Sequence, residues 1–222
     1  MKTIFTLNIN NYSSEITKLT YPYIQIYANK IGAKFHIITE RKFLNFPIVY
    51  EKLQIYELGK KNDWNIYFDS DVLIHPDLFD ITDHISKDTV LHWSFDMAGN
   101  RWTYDKYFLR DGRNIGSCDW FTIASDWCID LWKPLEISFE EALKNIHPTT
   151  LDSSLGDIKG EHLIDDYTLS RNIAKYGLKF VTFLDLLKKL GRENDEYLWH
   201  PYIKTEEQKI EGIKEKIKKW KI

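Results

Sequence analysis

The chain has 222 residues, 43% hydrophobic and 15% aromatic, with 33 Asp and Glu against 30 Lys and Arg and a formal net charge of −3. That length suits one α/β domain with ample material for a core, and the slightly acidic balance excludes the basic footprint of a nucleic-acid-binding protein. No apolar run approaches the ~20 residues that cross a bilayer, the start at Met1 to Phe5 lacks a signal-peptide apolar stretch, and Cys118 and Cys128 form neither a disulfide framework nor a metal-ligand pair, which favours a reducing, cytoplasmic setting.

Residues 3–9 alternate weakly and read as a strand that ends in a polar loop, Asn8 to Ser14. Thr20-Tyr21-Pro22 predicts a helix start, because Pro is favoured early in a helix; the helix runs to Ile31 and Gly32 closes it. Residues 34–39 form a second strand. After a loop with Pro47, residues 48–60 predict a helix with Val49, Leu53 and Tyr56 on one stripe, and residues 64–68 a third strand. This β-α-β-α-β order with short links predicts a parallel sheet, whose ligands bind outside the carboxyl ends of the strands. Further on come a strand over 89–95, a polar and aromatic loop over 96–117, a strand over 119–124 and a helix opened by Ser138-Phe139-Glu140-Glu141. A loop over 149–160, a helix over 162–176 closed by Gly177 and a strand over 179–183 follow. A final helix begins at Thr205, with Ile210, Ile213, Ile217 and Trp220 on one face, and is expected to serve packing alone.

Chemistry concentrates at three places. Asp69-Ser70-Asp71 follows the apolar strand Trp64 to Phe68. Two carboxylates there are costly unless positive charge sits beside them, and a divalent ion that shares its oxygen ligands with phosphate meets that need. By itself the tripeptide also fits a turn with two solvated acids. Asp165-Asp166 opens a helix, where one acid can cap free N–H groups but two adjacent acids cannot both cap well. His200 lies in Leu198-Trp199-His200-Pro201-Tyr202, a late polar and aromatic loop, and suits either a structural or a ligand role.

Tyr67-Phe68-Asp69-Ser70-Asp71-Val72-Leu73-Ile74 resembles the DxD motif of GT-A glycosyltransferases. The likeness extends upstream through the first strand, the helix over 21–31, Gly32-Ala33-Lys34-Phe35 and the helical stretch from Lys52 to Tyr56; it covers the first half well and the second in patches. The chain is similar to small viral and bacterial glycosyltransferases of this fold, with some likeness to family 8. The resemblance implies a single GT-A domain over 1–222, a Rossmann-like three-layer α/β sandwich around a mainly parallel sheet. Residues 1–74 would form the nucleotide-binding half, and residues 75–222 the acceptor half and C-terminal helix. It implies Mn²⁺ or Mg²⁺ on Asp69, Asp71 and His200, the last in the place of the family's late histidine. It implies a nucleotide-sugar donor, by default a UDP-sugar, near Thr6, Leu7, Asn8, Arg41, Lys52, Asp69, Ser70, Asn114 and Gly116, with Lys52 over the phosphates. The acceptor would be a hydroxyl of a glycan, a lipid-linked sugar or a protein-linked sugar, and the setting cytoplasmic, in a host cytoplasm if the chain is viral.

Ile164-Asp165-Asp166-Tyr167-Thr168-Leu169 resembles the acidic Glu-Asp-x-x-Leu segment of inverting members, with Asp165 in the Glu place. Asp166 then matches the general base, Asp165 joins it as the second catalytic acid, and inversion is favoured. In retaining relatives an acid at a similar place holds donor hydroxyls instead. Two other readings remain open. One is a haloacid-dehalogenase-type phosphatase with Asp69 as nucleophile, although its motif normally opens the first strand. The other is a non-catalytic nucleotide- or carbohydrate-binding protein.

Overall fold

The structure, a computed structural model, describes residues 1–94, 105–113, 115–116, 119–146, 160–202 and 205–222. Successive residues of a strand face opposite ways, and here both faces of the central strands are apolar. Ile4 and Phe5 of β1 (Lys2–Leu7), Ile66 and Tyr67 of β3 (Trp64–Phe68), and Leu91 and Val90 of β5 (Thr89–His92) each divide between two separate cores. Ile123 and Ala124 of β6 (Phe121–Ser125) do the same. A sheet that is apolar on both sides has to be covered on both sides. One core holds α1 (Ser14–Lys30) and α6 (Phe183–Lys189). The other holds residues 48–58, α3 (Lys106–Asp111), the 3₁₀ segment Asp126–Trp132, α4 (Phe139–Leu143) and α5 (Ile164–Tyr176). The expected three-layer α/β sandwich is therefore present.

With β2 (Ala33–Ile38) and β7 (Lys179–Thr182), the sheet has six strands in the order β2-β1-β3-β6-β5-β7. β1 pairs in parallel with both β2 and β3, and β5 pairs in parallel with β7. β6 alone runs the other way, antiparallel to β3 and to β5. The sheet is mainly parallel, as expected, and the reversed strand places its own beginning at the edge where the others end. A small second sheet pairs β4 (Leu73–Ile74) with β8 (Leu198–Trp199). It carries the late segment around His200 back to the residues just after Asp71.

Several expectations are corrected. α1 begins at Ser14 and not near Thr20, because Ser13 caps it by accepting the Ile16 N–H at 3.3 Å, and Pro22 lies inside the helix. Residues 48–54 form a 3₁₀ segment, and only Ile55–Leu58 (α2) are α-helical. Tyr50 to Gln54 are buried one after another, so no amphipathic stripe exists there. Inside the expected loop over 96–117 lies α3, capped by Asp105, whose carboxylate accepts the Tyr107 N–H at 2.8 Å. α6 was not foreseen. The closing glycines are as expected, Gly32 at φ +65° and Gly177 at φ +64°. Among the described residues no helix is long and apolar enough to cross a membrane.

α7 (Glu206–Trp220) is the expected last helix, with a full capping box between Thr205 and Gln208. Ile213 buries against Ile16 of α1 and Leu73 of β4. Gly212 faces Trp199, where a Cβ would come within 2.9 Å of the indole, so the helix can lie this close to β8 only with glycine there.

Candidate active site

β3 is buried throughout and ends at Phe68, so Asp69 to Asp71 emerge at the carboxyl edge of the sheet. The Asp69 N–H still donates to the Trp120 carbonyl at 2.9 Å, which fixes the turn against the start of β6. Ser70 clamps the middle of the turn. Its hydroxyl donates to the Leu7 carbonyl and lies 3.3 Å from the Thr6 hydroxyl, while Thr20 of α1 donates to the Ser70 carbonyl at 2.6 Å. With the backbone held this way, the two carboxylates are presented to the regions on either side.

Asp71 is 5% exposed and needs partners. His200 Nε2 lies 3.2 Å from its Oδ1, and Lys209 Nζ, from α7, lies 2.6 Å from its Oδ2. Burial opposes its charge, yet His200 and Lys209 hold its pKa well below the usual carboxylate range. Asp69 is about a third exposed. Its Oδ1 accepts the Tyr67 hydroxyl at 2.6 Å and its Oδ2 lies 3.9 Å from His200 Nε2. The ligand atoms of Asp69, Asp71 and His200 all fall within 4.8 Å of one another. Two carboxylate oxygens and one imidazole nitrogen form a donor set that fits a divalent ion of the Mn²⁺ type, which accepts both kinds of ligand. The imidazole is oriented by stacking: it lies on Trp120 at 5.1 Å with 9° between the planes, and meets Tyr202 edge-on at 4.9 Å. Its Nδ1 is buried without a hydrogen-bond partner among the described residues.

A second acidic cluster lies beside the first. Asp165 and Asp166 occupy the first turn of α5, whose capping position, Leu163, gives no side-chain bond. Neither acid is spent on capping. Asp165 turns inward and meets Lys52 Nζ at 2.7 Å, and Asp166, partly exposed, accepts the backbone N–H of Asp119 at 3.1 Å. Lys52 is 1% exposed and also bonds Asp119 Oδ2 at 2.8 Å; Asp69 Oδ1 is 3.7 Å away and the Tyr67 ring 4.6 Å. Burial works against the ammonium charge, but Asp119 and Asp165 keep its pKa well above normal. Burial, then repulsion from Asp165, pushes Asp119 up to about 7, and burial with repulsion from Asp119 and Asp165 pushes Asp166 well above the carboxylate range. Burial and mutual repulsion thus favour the neutral acid at Asp119 and Asp166. One oxygen of Asp165 is buried with no partner among the described residues.

The remaining expected residues divide. Thr6, Leu7 and Asn8 lie at the end of β1 beside Ser70, and Asn8 Oδ1 is buried without a partner among the described residues. Gly116 is buried, and Asn114 lies outside the described residues. Lys52 does not lie over open space, as expected for a phosphate ligand; its ammonium is taken up by buried carboxylates. Arg41 is likewise engaged, with Glu51 at 3.1 Å and with the carbonyls of Phe43 and Phe46. Three residues were missed. Lys209 belongs to a helix expected to serve packing alone. A lysine in the first turn of a helix opposes the dipole, and that was its one signal. Asp119, expected to open a strand, instead precedes β6 in a turn, and Trp120 beside it had no signal beyond its aromatic character.

No protein-family model matches the chain, and no curated protein sequence matches it. Among solved structures the chain is similar to a glycosyltransferase involved in the glycosylation of the major capsid of PBCV-1, with 12% identity and a TM-score of 0.47 over 96% of this chain and 99% of that one. It is similar to the galactosyltransferase LgtC in complex with donor and acceptor sugar analogs, with 16% identity and a TM-score of 0.49 over 81% of this chain and 73% of that one. It is also similar to a mutant Drosophila galactosyltransferase 7 in complex with manganese, UDP-Gal and xylobiose, with 13% identity and a TM-score of 0.42 over 90% and 71%. At these scores the chemistry of this chain rests on its own residues.

Proposed function

We propose that the protein is a metal-dependent glycosyltransferase that moves a sugar from a nucleotide-sugar, by default a UDP-sugar, to a hydroxyl of a sugar acceptor, with inversion. The observation that carries this reading is the convergence of Asp69, Asp71 and the distant His200 into one triad at the carboxyl edge of the sheet. Open α/β sheets bind their ligands at that edge. The resemblance of Tyr67 to Ile74 to the DxD motif supports the same reading.

Asp69, Asp71 and His200 would hold Mn²⁺ or Mg²⁺, which supplies Lewis-acid neutralisation of the charge on a departing diphosphate. Thr6, Leu7, Asn8 and Ser70 line the nucleotide side, within residues 1–74, and the acceptor belongs to the half formed by 75–222. In its ionised form, whose raised pKa makes it the stronger base, Asp166 accepts the proton of the acceptor hydroxyl as that hydroxyl's oxygen bonds to the anomeric carbon. The bond from that carbon to the diphosphate breaks, and the nucleoside diphosphate leaves. Asp119 orients Asp166 through its backbone N–H, and Lys52 fixes Asp119 and Asp165 behind it. Such a donor is cytoplasmic stock, in keeping with a chain that carries only two cysteines.

The test is a screen of nucleotide-sugars for Mn²⁺-dependent hydrolysis and transfer, with Asp71→Ala alongside. Turnover in the wild type that disappears with chelation and in Asp71→Ala is the expected result. Equal turnover in the variant removes the metal claim.

A further inference from the structure

Beside the metal triad, between the sheet edge and α6, lies a cavity of about 390 Å³, within the ~300–1,000 Å³ usual for small-ligand sites. One wall is aromatic. Trp93 packs on Trp120 at 4.6 Å between ring centroids, and Trp120 stacks on His200 and donates its indole N–H to the Tyr202 hydroxyl at 3.2 Å. The wall is thus continuous from the end of β5 to the imidazole that closes the triad. The exposed acids Glu193, Asp195 and Glu196 line the cavity as well, and among the described lining residues there is no Lys or Arg. Asp195 accepts the Tyr197 hydroxyl at 2.7 Å and Glu196 is paired with Lys216, while Glu193 forms no ion pair among the described residues.

We infer that this cavity is the acceptor subsite and that it takes an uncharged saccharide, packed against the partly exposed rings of Trp93 and Tyr202, which buried Trp120 holds in place, with its hydroxyls toward Glu193 and Asp195; the inference rests on the glycosyltransferase reading. The ring composition selects the class. A pyranose has a C–H face that packs on an aromatic plane and a rim of hydroxyls that donate to carboxylates. A purely apolar ligand would leave those carboxylates desolvated and unpaired. A ligand bearing phosphate, sulfate or carboxylate would meet like charge, with no Lys or Arg among the described lining residues to offset it. The cavity also has a direction: its His200 end adjoins the metal triad, and its other lining residues lead away toward Glu193.

The test is saturation-transfer NMR on the full chain with UDP and diamagnetic Mg²⁺ present. The panel is lactose, cellobiose, chitobiose and maltotriose, with sialyllactose as the anionic comparison. At least one neutral sugar gives signal, sialyllactose gives none, and Tyr202→Ala weakens the neutral sugar roughly fivefold or more, the scale of a lost aromatic platform. Glu193→Gln, at an exposed position that leaves folding intact, admits sialyllactose. Three outcomes overturn the inference: no neutral sugar binds, sialyllactose binds the wild type as well as lactose does, or UDP displaces the sugar, in which case the cavity takes the nucleotide base. UDP binding measured separately by calorimetry with Mn²⁺ keeps the two claims apart. If UDP binds and no sugar does, the subsite fails and the glycosyltransferase reading stands; if UDP does not bind, that reading fails.

Discussion

The two acidic clusters share one sheet edge and behave in opposite ways. Asp71 is buried yet stays ionised, because an imidazole and an ammonium each face one of its oxygens. Asp119 and Asp166 are driven toward the protonated form, because a single ammonium, Lys52, is shared among more carboxylates than it can neutralise. The difference teaches that the ratio of cations to buried carboxylates, more than burial alone, decides whether a buried carboxyl stays ionised or takes up a proton. In the proposed reaction, two adjacent clusters with divergent proton affinities would divide two tasks: holding the leaving group's counter-ion and removing the acceptor's proton.

The hardest blow to that division is Asp71→Ala. Mn²⁺-dependent UDP binding, read by titration calorimetry, should disappear altogether. Retained binding would mean that the first cluster is not the ion's place. Next, Asp166→Asn should lower kcat by about 10²–10⁴-fold, the usual worth of a general base, with UDP and Mn²⁺ affinity unchanged. A loss of affinity with kcat preserved would merge the two clusters into one functional unit. Lys52→Met removes the only cation that pairs with Asp119 and Asp165 among the described residues and should destabilise the fold by about 3–5 kcal/mol, as for other buried pairs broken on one side, measured by urea unfolding. An unchanged midpoint would mean that those carboxyls are already neutral.

The smallest effect concerns pH. Folding raises the pKa of Asp119 from near ~4 to about 7, so the folded protein binds that proton more tightly than the unfolded chain does. Its contribution to stability is complete below the ordinary carboxylate range and is lost as pH rises through about 7. Asp119→Asn should therefore flatten the fall in melting temperature of the wild type between about pH 4 and 7. The same substitution removes a like charge beside Asp166 and should shift the acidic limb of kcat against pH to lower pH. A limb that stays in place would separate Asp119 from the base.

Much of this fold was legible in the residues. Both closing glycines, all six strands of the main sheet and the aspartates at the end of the third could be read from alternation, breakers and charge. The reading of Thr20 to Pro22 as a helix start failed because Pro22 sits inside α1, where proline is costly but here tolerated, and not at the favoured first turn; the Ser13 cap, visible in sequence, was the better signal. Residues 48–54 failed because complete burial erases the periodicity on which the prediction relied. In the site, neighbours in sequence were found and neighbours in space were not. Asp69 and Asp71 are linked by spacing. Lys209 reaches Asp71 only because α7 docks on α1 and β4, and Lys52 turns away from the ligand side because Asp119 and Asp165 converge on it from two other elements. Tertiary placement of that kind leaves little local trace. His200 was reachable through a resemblance, and its partner Trp120 was not.

The indole of Trp120 lies face to face with the imidazole of His200. A paramagnetic ion bound to that imidazole would sit within a few ångströms of a fluorophore native to the chain, so Mn²⁺ loading should darken tryptophan emission where Mg²⁺ loading does not. Replacing Trp120 with phenylalanine should reduce that difference. Such quenching would give an optical gauge of metal occupancy, readable in real time without a label.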